Sequence, residues 1–304
     1  MEVAICLAVV SIALVAIIGV LPLGMNVQKE NREGTIINQD ATIFLEAISK
    51  GAQGLDNLTN YVYAITNYWT QFRADGTVAS GGGAIHNSYT FNNSSITWPL
   101  QVAAVCHLTN GFHIVGLLST PQFTDKNGFP IANTVGVDLY YSNHVFAYVR
   151  SLSGAAVEKP PQDNQIIQAD AFAYRLLCVN APVAGYTPPL WLAQTYNQGD
   201  WVSDIANSQT RYWQAVIAGS PLLPPQASDV PGSSVRWVRN AYPQELAANL
   251  HELRLTFQWP IRPNGKLGTG RQTYRTLVGG QVRHVYTNNV DLYFYQSQSF
   301  TNAP

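Results

Sequence analysis

The sequence predicts an α+β protein: a long, kinked N-terminal α-helix, apolar in its first third, that carries a large antiparallel β-rich globular head. Three observations predict it. No charged residue occurs between Val3 and Gln28. Apolar residues then recur in steps of three and four from Ile37 to Phe72. After Gly81-Gly82-Gly83 the pattern changes to short runs rich in Val, Tyr, Phe, Thr and Trp, separated by turn residues.

Residues 3–25, VAICLAVVSIALVAIIGVLPLGM, are apolar apart from Ser11, two glycines and Pro22. A helix of that length is roughly 35 Å long, enough to cross a hydrocarbon core. Thirteen of its residues are Val, Ile or Leu, and they favour insertion by roughly 4–8 kcal/mol. The segment 1–25 is thus expected to be a transmembrane or filament-core helix. A secretory signal peptide would need a basic stretch before the run and a small-residue cleavage site after it; the sequence has neither. Glu2 heads the run. It is either a residue that suits the positive end of a helix dipole, or a charge awaiting a partner from another chain.

Gly19, Pro22 and Gly24 weaken the helix, because proline removes a hydrogen bond and clashes one turn back. Beyond them Ile37, Ala41, Phe44, Leu45, Ile48, Ala52, Leu55, Leu58, Val62, Ile65, Trp69 and Phe72 form one helical stripe. Asp40 and the other charged residues lie mostly off it. Residues 26–76 are therefore expected to be an amphipathic helix packing on the head, the whole helix running to about 70 residues, with Gly51 or Gly54 as a point of interruption and a stop near Asp75-Gly76.

Residues 77–304 form the expected head. Strands are predicted at 84–91, 96–108, 112–119, 135–141, 144–151, 167–180, 211–217, 234–239, 250–259, 273–278, 282–287 and 290–296. In 250–259, Leu253, Leu255, Phe257 and Trp259 alternate with Glu252, Arg254, Thr256 and Gln258, so one face needs cover.

Composition and motifs narrow the function. Only 12% of residues are charged and the net charge is -1, so there is no electrostatic footprint for nucleic acid. The six histidines show no metal-ligand spacing, and no phosphate loop, dinucleotide fingerprint or nucleophile elbow occurs. No catalytic residue, metal or cofactor is expected. Cys106 and Cys178 either pair or are two inert buried thiols; geometry decides. Exposed Trp and Tyr suit sugars, although most aromatics of such a body are core.

An acidic residue heading an apolar run, a proline near its end, an amphipathic helix and a β head together resemble the type IV pilin superfamily, including type II secretion pseudopilins. The residues that carry the resemblance are MEVAICLAVVSIALVAIIGVLPLGMNVQKE, about a tenth of the chain. HELRLTFQWPIRPNGKLGTGRQTYRTLVGG also resembles the C-terminal part of some long pilin-like proteins. The family's acidic residue maps to Glu2, and its helix-breaking region maps to Gly19, Pro22 and Gly24. The cysteine pair that closes the C-terminal region of many pilins is absent.

The resemblance implies a precursor held in the inner membrane, trimmed by a prepilin peptidase, and extracted by the pilus assembly machinery into an extracellular filament. Neighbouring copies would be set in register by Glu2 and a terminal amine at Met1, the adjacent chain's by the resemblance. The expected function is a structural subunit of a homopolymeric filament rather than an enzyme. A membrane-anchored, sugar-binding adhesin and a secretion pseudopilin are the alternatives.

Overall fold

The computed structural model describes residues 2–73, 76–79, 85–90, 106–108, 110–131, 139–153, 172–183, 188–206, 209–218, 236–239, 246, 248–262 and 265–300. The expected strand at 96–105 and the Gly81–Gly83 hinge lie outside them. The structure corrects the fold class. Strand makes up 46% of the described residues and helix 29%, so the protein is mostly β, and its first helix is built into the body instead of carrying a separate head.

The first helix, α1, spans Glu2–Ser49. Its contact with the body falls within the 26-residue stretch Gly24–Ser49, from Ile36 onward. Ile36, Ile37, Asp40, Ala41, Phe44, Ala47 and Ile48 are buried there, one stripe at helical spacing. The helix stops because Gly51 takes a left-handed φ of 58°. Its N–H donates to the Ile48 carbonyl (3.0 Å) and the Ala52 N–H donates to the Ala47 carbonyl (3.0 Å). That paired arrangement satisfies two otherwise orphaned carbonyls of the last turn. A Cβ on Gly51 would also stand 2.3 Å from the Tyr295 carbonyl oxygen.

Past this stop a 3-10 turn (Asp56–Asn60) leads into β1 (Val62–Arg73). Sequence periodicity placed 62–73 on the helix, and that expectation fails. VYAITNYWTQFR is dominated by β-branched and aromatic residues, which suit a pleated sheet. A register shift between Val62 and Ala64 changes which residues face the core, so Val62 and Ile65 both join it. A bulged strand thereby imitated a helical step of three.

The remaining elements are β2 (Ile85–Thr90), β3 (Cys106–His107), α2 (Gly111–Leu118), β4 (Phe123–Asp125), β5 (Leu139–Arg150), β6 (Ala173–Pro182), β7 (Trp201–Ala206), β8 (Gln209–Ala215), β9 (Trp237–Arg239), β10 (Leu250–Ile261), β11 (Leu267–Gly279), β12 (Gln281–Thr287) and β13 (Val290–Gln296). The main sheet has the order β11-β10-β6-β5-β1-β2-β3, with β4 also on β5. All its pairs are antiparallel except β2 with β3. A second, three-stranded sheet, β7-β8-β9, has its own small core of Tyr196, Val202, Trp213, Ala215 and Trp237.

The main core lies between one face of the large sheet and a layer made of α1, α2 and the β12-β13 hairpin. Leu253, Leu255, Phe257 and Trp259 of β10 point into it, as do Leu292 and Phe294 of β13. The hairpin turns through Asn288 and Asn289, both at positive φ, as a two-residue turn of matching twist requires. The stretch 112–119, expected as a strand, is helix α2. Asn110 caps it, its side chain accepting from the His113 N–H at 3.0 Å. Nearly every residue of α2 is buried, and a helix buried on all sides has no polar face to display a 3.6 period.

One buried carboxylate locks α1 to the sheet. Asp40, fully buried, accepts from the Leu152 N–H (2.9 Å), the Ser153 hydroxyl (2.5 Å) and the Tyr174 hydroxyl (2.8 Å). Burial pushes its pKa up, and these three donors act against that. The charged residue expected off the stripe is its polar centre. Replacing Asp40 by Ala strands the Leu152 and Tyr174 donors, and should lower unfolding free energy by about 2–4 kcal/mol, read from urea denaturation. A loss under ~0.5 kcal/mol would show that the clamp is idle.

His251 of β10 is buried beneath Tyr295. Burial lowers its pKa to about 4. Between pH 6.5 and 4 the unfolded chain binds a proton that the folded chain does not. Stability from this group is therefore present above pH 6.5 and lost as pH falls toward 4, by at most about 3 kcal/mol. Asp40, whose pKa is raised, works in the opposite sense over the acid end. His251→Leu should flatten the decline between pH 6.5 and 5 in pH-resolved thermal melts.

Candidate functional site: the uncovered apolar segment of the first helix

The two halves of α1 live in different environments. From Ile36 onward the stripe is packed. Before it, Val3, Ile5, Leu7, Val9, Val10, Ile12, Leu14, Val15, Ile17 and Ile18 are each more than half exposed, Val3 at 74%. Adjacent positions such as Val9 and Val10, Leu14 and Val15, or Ile17 and Ile18 look in different directions around the helix, so the uncovered surface is not confined to one side. Contiguous apolar surface on this scale marks an interaction site. Covering ten such side chains would contribute on the order of 10 kcal/mol. Among the described residues, no helix is long and apolar enough to cross a membrane.

The side chains expected to carry this site are placed as follows. Glu2 is exposed in the first turn of α1, where the helix dipole favours a carboxylate. Among the described residues it has no hydrogen bond or ion pair. Met1 lies outside the described residues. α1 is helical through Gly19, Pro22 and Gly24; the expected break therefore does not occur in the single chain. Proline is tolerated there because an exposed helix can leave the freed carbonyl to surrounding groups.

Cys6 is exposed within the apolar segment, and Cys106 and Cys178 do not pair. Cys178 is a free, buried thiol in β6, its pKa raised by burial, which makes it inert. Cys106 lies in β3, four strand positions away across β5, β1 and β2. At roughly 4.8 Å per strand that is about 19 Å, too far for a disulfide. Among the described residues no group of His, Cys, Asp or Glu could hold a metal ion.

The sequence pointed to the apolar segment directly. It also signalled that the same helix changes partner, placing the change at residues 25–26, whereas the buried stripe begins at Ile36. No family model matches the chain, and no curated protein or solved structure matches it either.

Among the residues of α1 whose side chains are described, every buried one lies at or after Ile36. Removing residues 1–25 should therefore leave the melting temperature of the body within about 3 °C, while abolishing detergent-dependent solubility. Circular dichroism melts of the full and shortened chains test this; a shortened chain that fails to fold would place the N-terminal segment in the core.

Proposed function

We propose that the protein is the structural subunit of an extracellular, type IV pilus-like helical filament, held together by the apolar N-terminal segments of its copies. The observation that carries this reading is the uncovered surface from Val3 to Ile18 on a helix whose later turns are built into the body. Lipid and a bundle of like helices both exclude water, so one segment suits storage in the inner membrane and, later, the filament core. A contact repeated by a screw operation yields an open filament from identical copies. The resemblance of residues 1–30 to the pilin superfamily supports the same reading, and extends it to a prepilin peptidase and an assembly machinery as partners.

Glu2 acts here as the register device. Surrounded by Val, Ile and Leu of neighbouring helices, an unpaired carboxylate would cost several kcal/mol. The run supplies no cation before Lys29, which leaves a terminal amine of this or an adjacent copy; the resemblance implies the adjacent one. Any other axial offset would strand both charges.

Glu2→Ala should leave the fold unchanged and reduce filament yield about tenfold or more, scored by negative-stain microscopy of sheared cell-surface material. Filaments at parental yield would dismiss the register role. Absence of any filament from the parent would dismiss the subunit reading itself.

A further inference from the structure

We propose that the body carries a binding site for a single neutral sugar ring, in the cleft between the main sheet and the β12-β13 hairpin. The cleft holds about 220 Å³. That is below the roughly 300–1,000 Å³ of sites that engulf drug-sized ligands, and it limits the occupant to one ring rather than an enclosed chain.

The walls combine three kinds of group. Trp69 of β1 and Tyr141 of β5 meet edge to face, ring centres 5.1 Å apart. Such rings offer flat apolar surface against the C–H faces of a pyranose. Beside them a pair of amides is fixed in place. Asn67 Nδ2 donates to Asn143 Oδ1 (3.1 Å), and Asn143 Nδ2 donates to Thr124 Oγ1 and to the Pro121 carbonyl (both 3.1 Å). This chain leaves Asn67 Oδ1 buried without a partner among the described residues. An orphaned acceptor costs about 1–3 kcal/mol, and a ligand hydroxyl would relieve it.

Two carboxylates complete the lining. Asp125 uses Oδ1 to accept from the Asn127 and Phe129 N–H groups, both at 2.8 Å. Asp291 uses Oδ1 on His284 Nε2 at 2.6 Å. Each is thus held rigidly by one oxygen, while the fold's hydrogen bonds among the described residues make no use of the other. A carboxylate oxygen accepts strongly from O–H donors. Gly128, at a φ of 82°, keeps the rim close: a Cβ there would stand 3.0 Å from Asp291 Oδ1.

The charges disfavour an anionic ligand. Asp125 and Asp291 line the opening against the single ammonium of Lys126, so the cleft offers an anion no net attraction. Aromatic faces, rigid amides and anchored carboxylates in one small cleft suit a polyhydroxylated ring, which presents apolar C–H faces and O–H edges together. The site uses no residue of α1, and it stands independently of the filament reading.

The test uses the full chain in a detergent without a sugar headgroup. A panel of neutral monosaccharides is titrated by isothermal calorimetry and by tryptophan fluorescence. The expected result is saturable binding of at least one sugar, with affinity reduced about tenfold or more by Asp291→Asn and weakened also by Trp69→Phe, both variants melting like the parent. No saturable binding of any sugar at millimolar concentration overturns the proposal. So does binding that both variants leave unchanged, or a response to Ca²⁺ alone that a chelator removes. Because Asp291→Asn should still form filaments at parental yield, failure of this site and failure of the subunit reading are told apart.

Discussion

The carboxylate of Asp40 is the constraint on which the body depends. A mostly antiparallel sheet with one apolar face needs a second layer, and here that layer includes part of a helix that begins far from the sheet in sequence. Hydrophobic contact alone would hold α1 against β10 and β13 but would not fix its depth or rotation, since apolar packing is non-directional. Asp40 fixes both. Its two oxygens take a backbone N–H and two hydroxyls from the segment after β5 and from β6. Rotating or sliding the helix would leave a charge buried without donors, a far larger penalty than any loss of contact. Asn180 does similar work on the other side of the layer. Its Nδ2 donates to the Ser119 carbonyl at 2.9 Å, and its Oδ1 accepts from Tyr295, which ties β6 to the end of α2 and to β13. Two buried polar groups, both satisfied, make the helical layer and the sheet one unit.

This anchoring explains how α1 leaves so much apolar surface uncovered without the body losing its shape. The stripe from Ile36 to Ile48 is shielded by the sheet and hairpin, and Gly51 ends the helix where the chain must turn back into β1. Nothing before Ile36 is needed for that packing. The N-terminal segment is thus free to meet lipid or its own copies while the sheet stays as it is. The proposed filament subunit, moving from a membrane into a polymer, would need such a division, because a segment essential to the core could not change its surroundings without unfolding the rest.

Where the sequence was legible, one physical rule dominated. The alternation in 250–259 has a single structural meaning, and β10 follows it, with Leu253, Leu255 and Phe257 fully buried. The hairpin at 281–296 declared itself through two runs around Asn288-Asn289. The helical stripe was right as far as Ile48, and the apolar segment stood out by composition alone. The failures arise where two rules compete. In 62–73 the steps of three and four pointed to helix, and β-branched and aromatic content pointed to strand; tertiary pairing with β5 and β2 decided it. GFHIVGLL reads as a strand because it is short and wholly apolar, yet Asn110 ahead of it is the cap that makes it a helix. Gly51 was legible as a point of interruption, but the stripe continuing past it hid that the helix ends there. Asp40 was misplaced because a charge is ordinarily a surface residue; its burial depends on Ser153 and Tyr174, more than a hundred residues away. The cleft was invisible for the same reason, since Asn67, Asn143 and Asp291 share no local pattern.

The low charge of the chain takes on a physical meaning from this arrangement. A soluble domain spends much of its charge keeping its copies apart. Here the ion pairs that exist are mostly local: Lys29 with Glu33 and Lys50 with Glu46 along α1, and Arg211 with Asp204 inside the small sheet. Exposed pairs of this kind contribute little to stability, and they leave no field that would repel another copy. A chain of net charge -1 opposes close, repeated packing of identical bodies only weakly. That is the condition a filament wall must meet once its apolar segments have been drawn together, and a strongly charged surface would oppose it at every repeat.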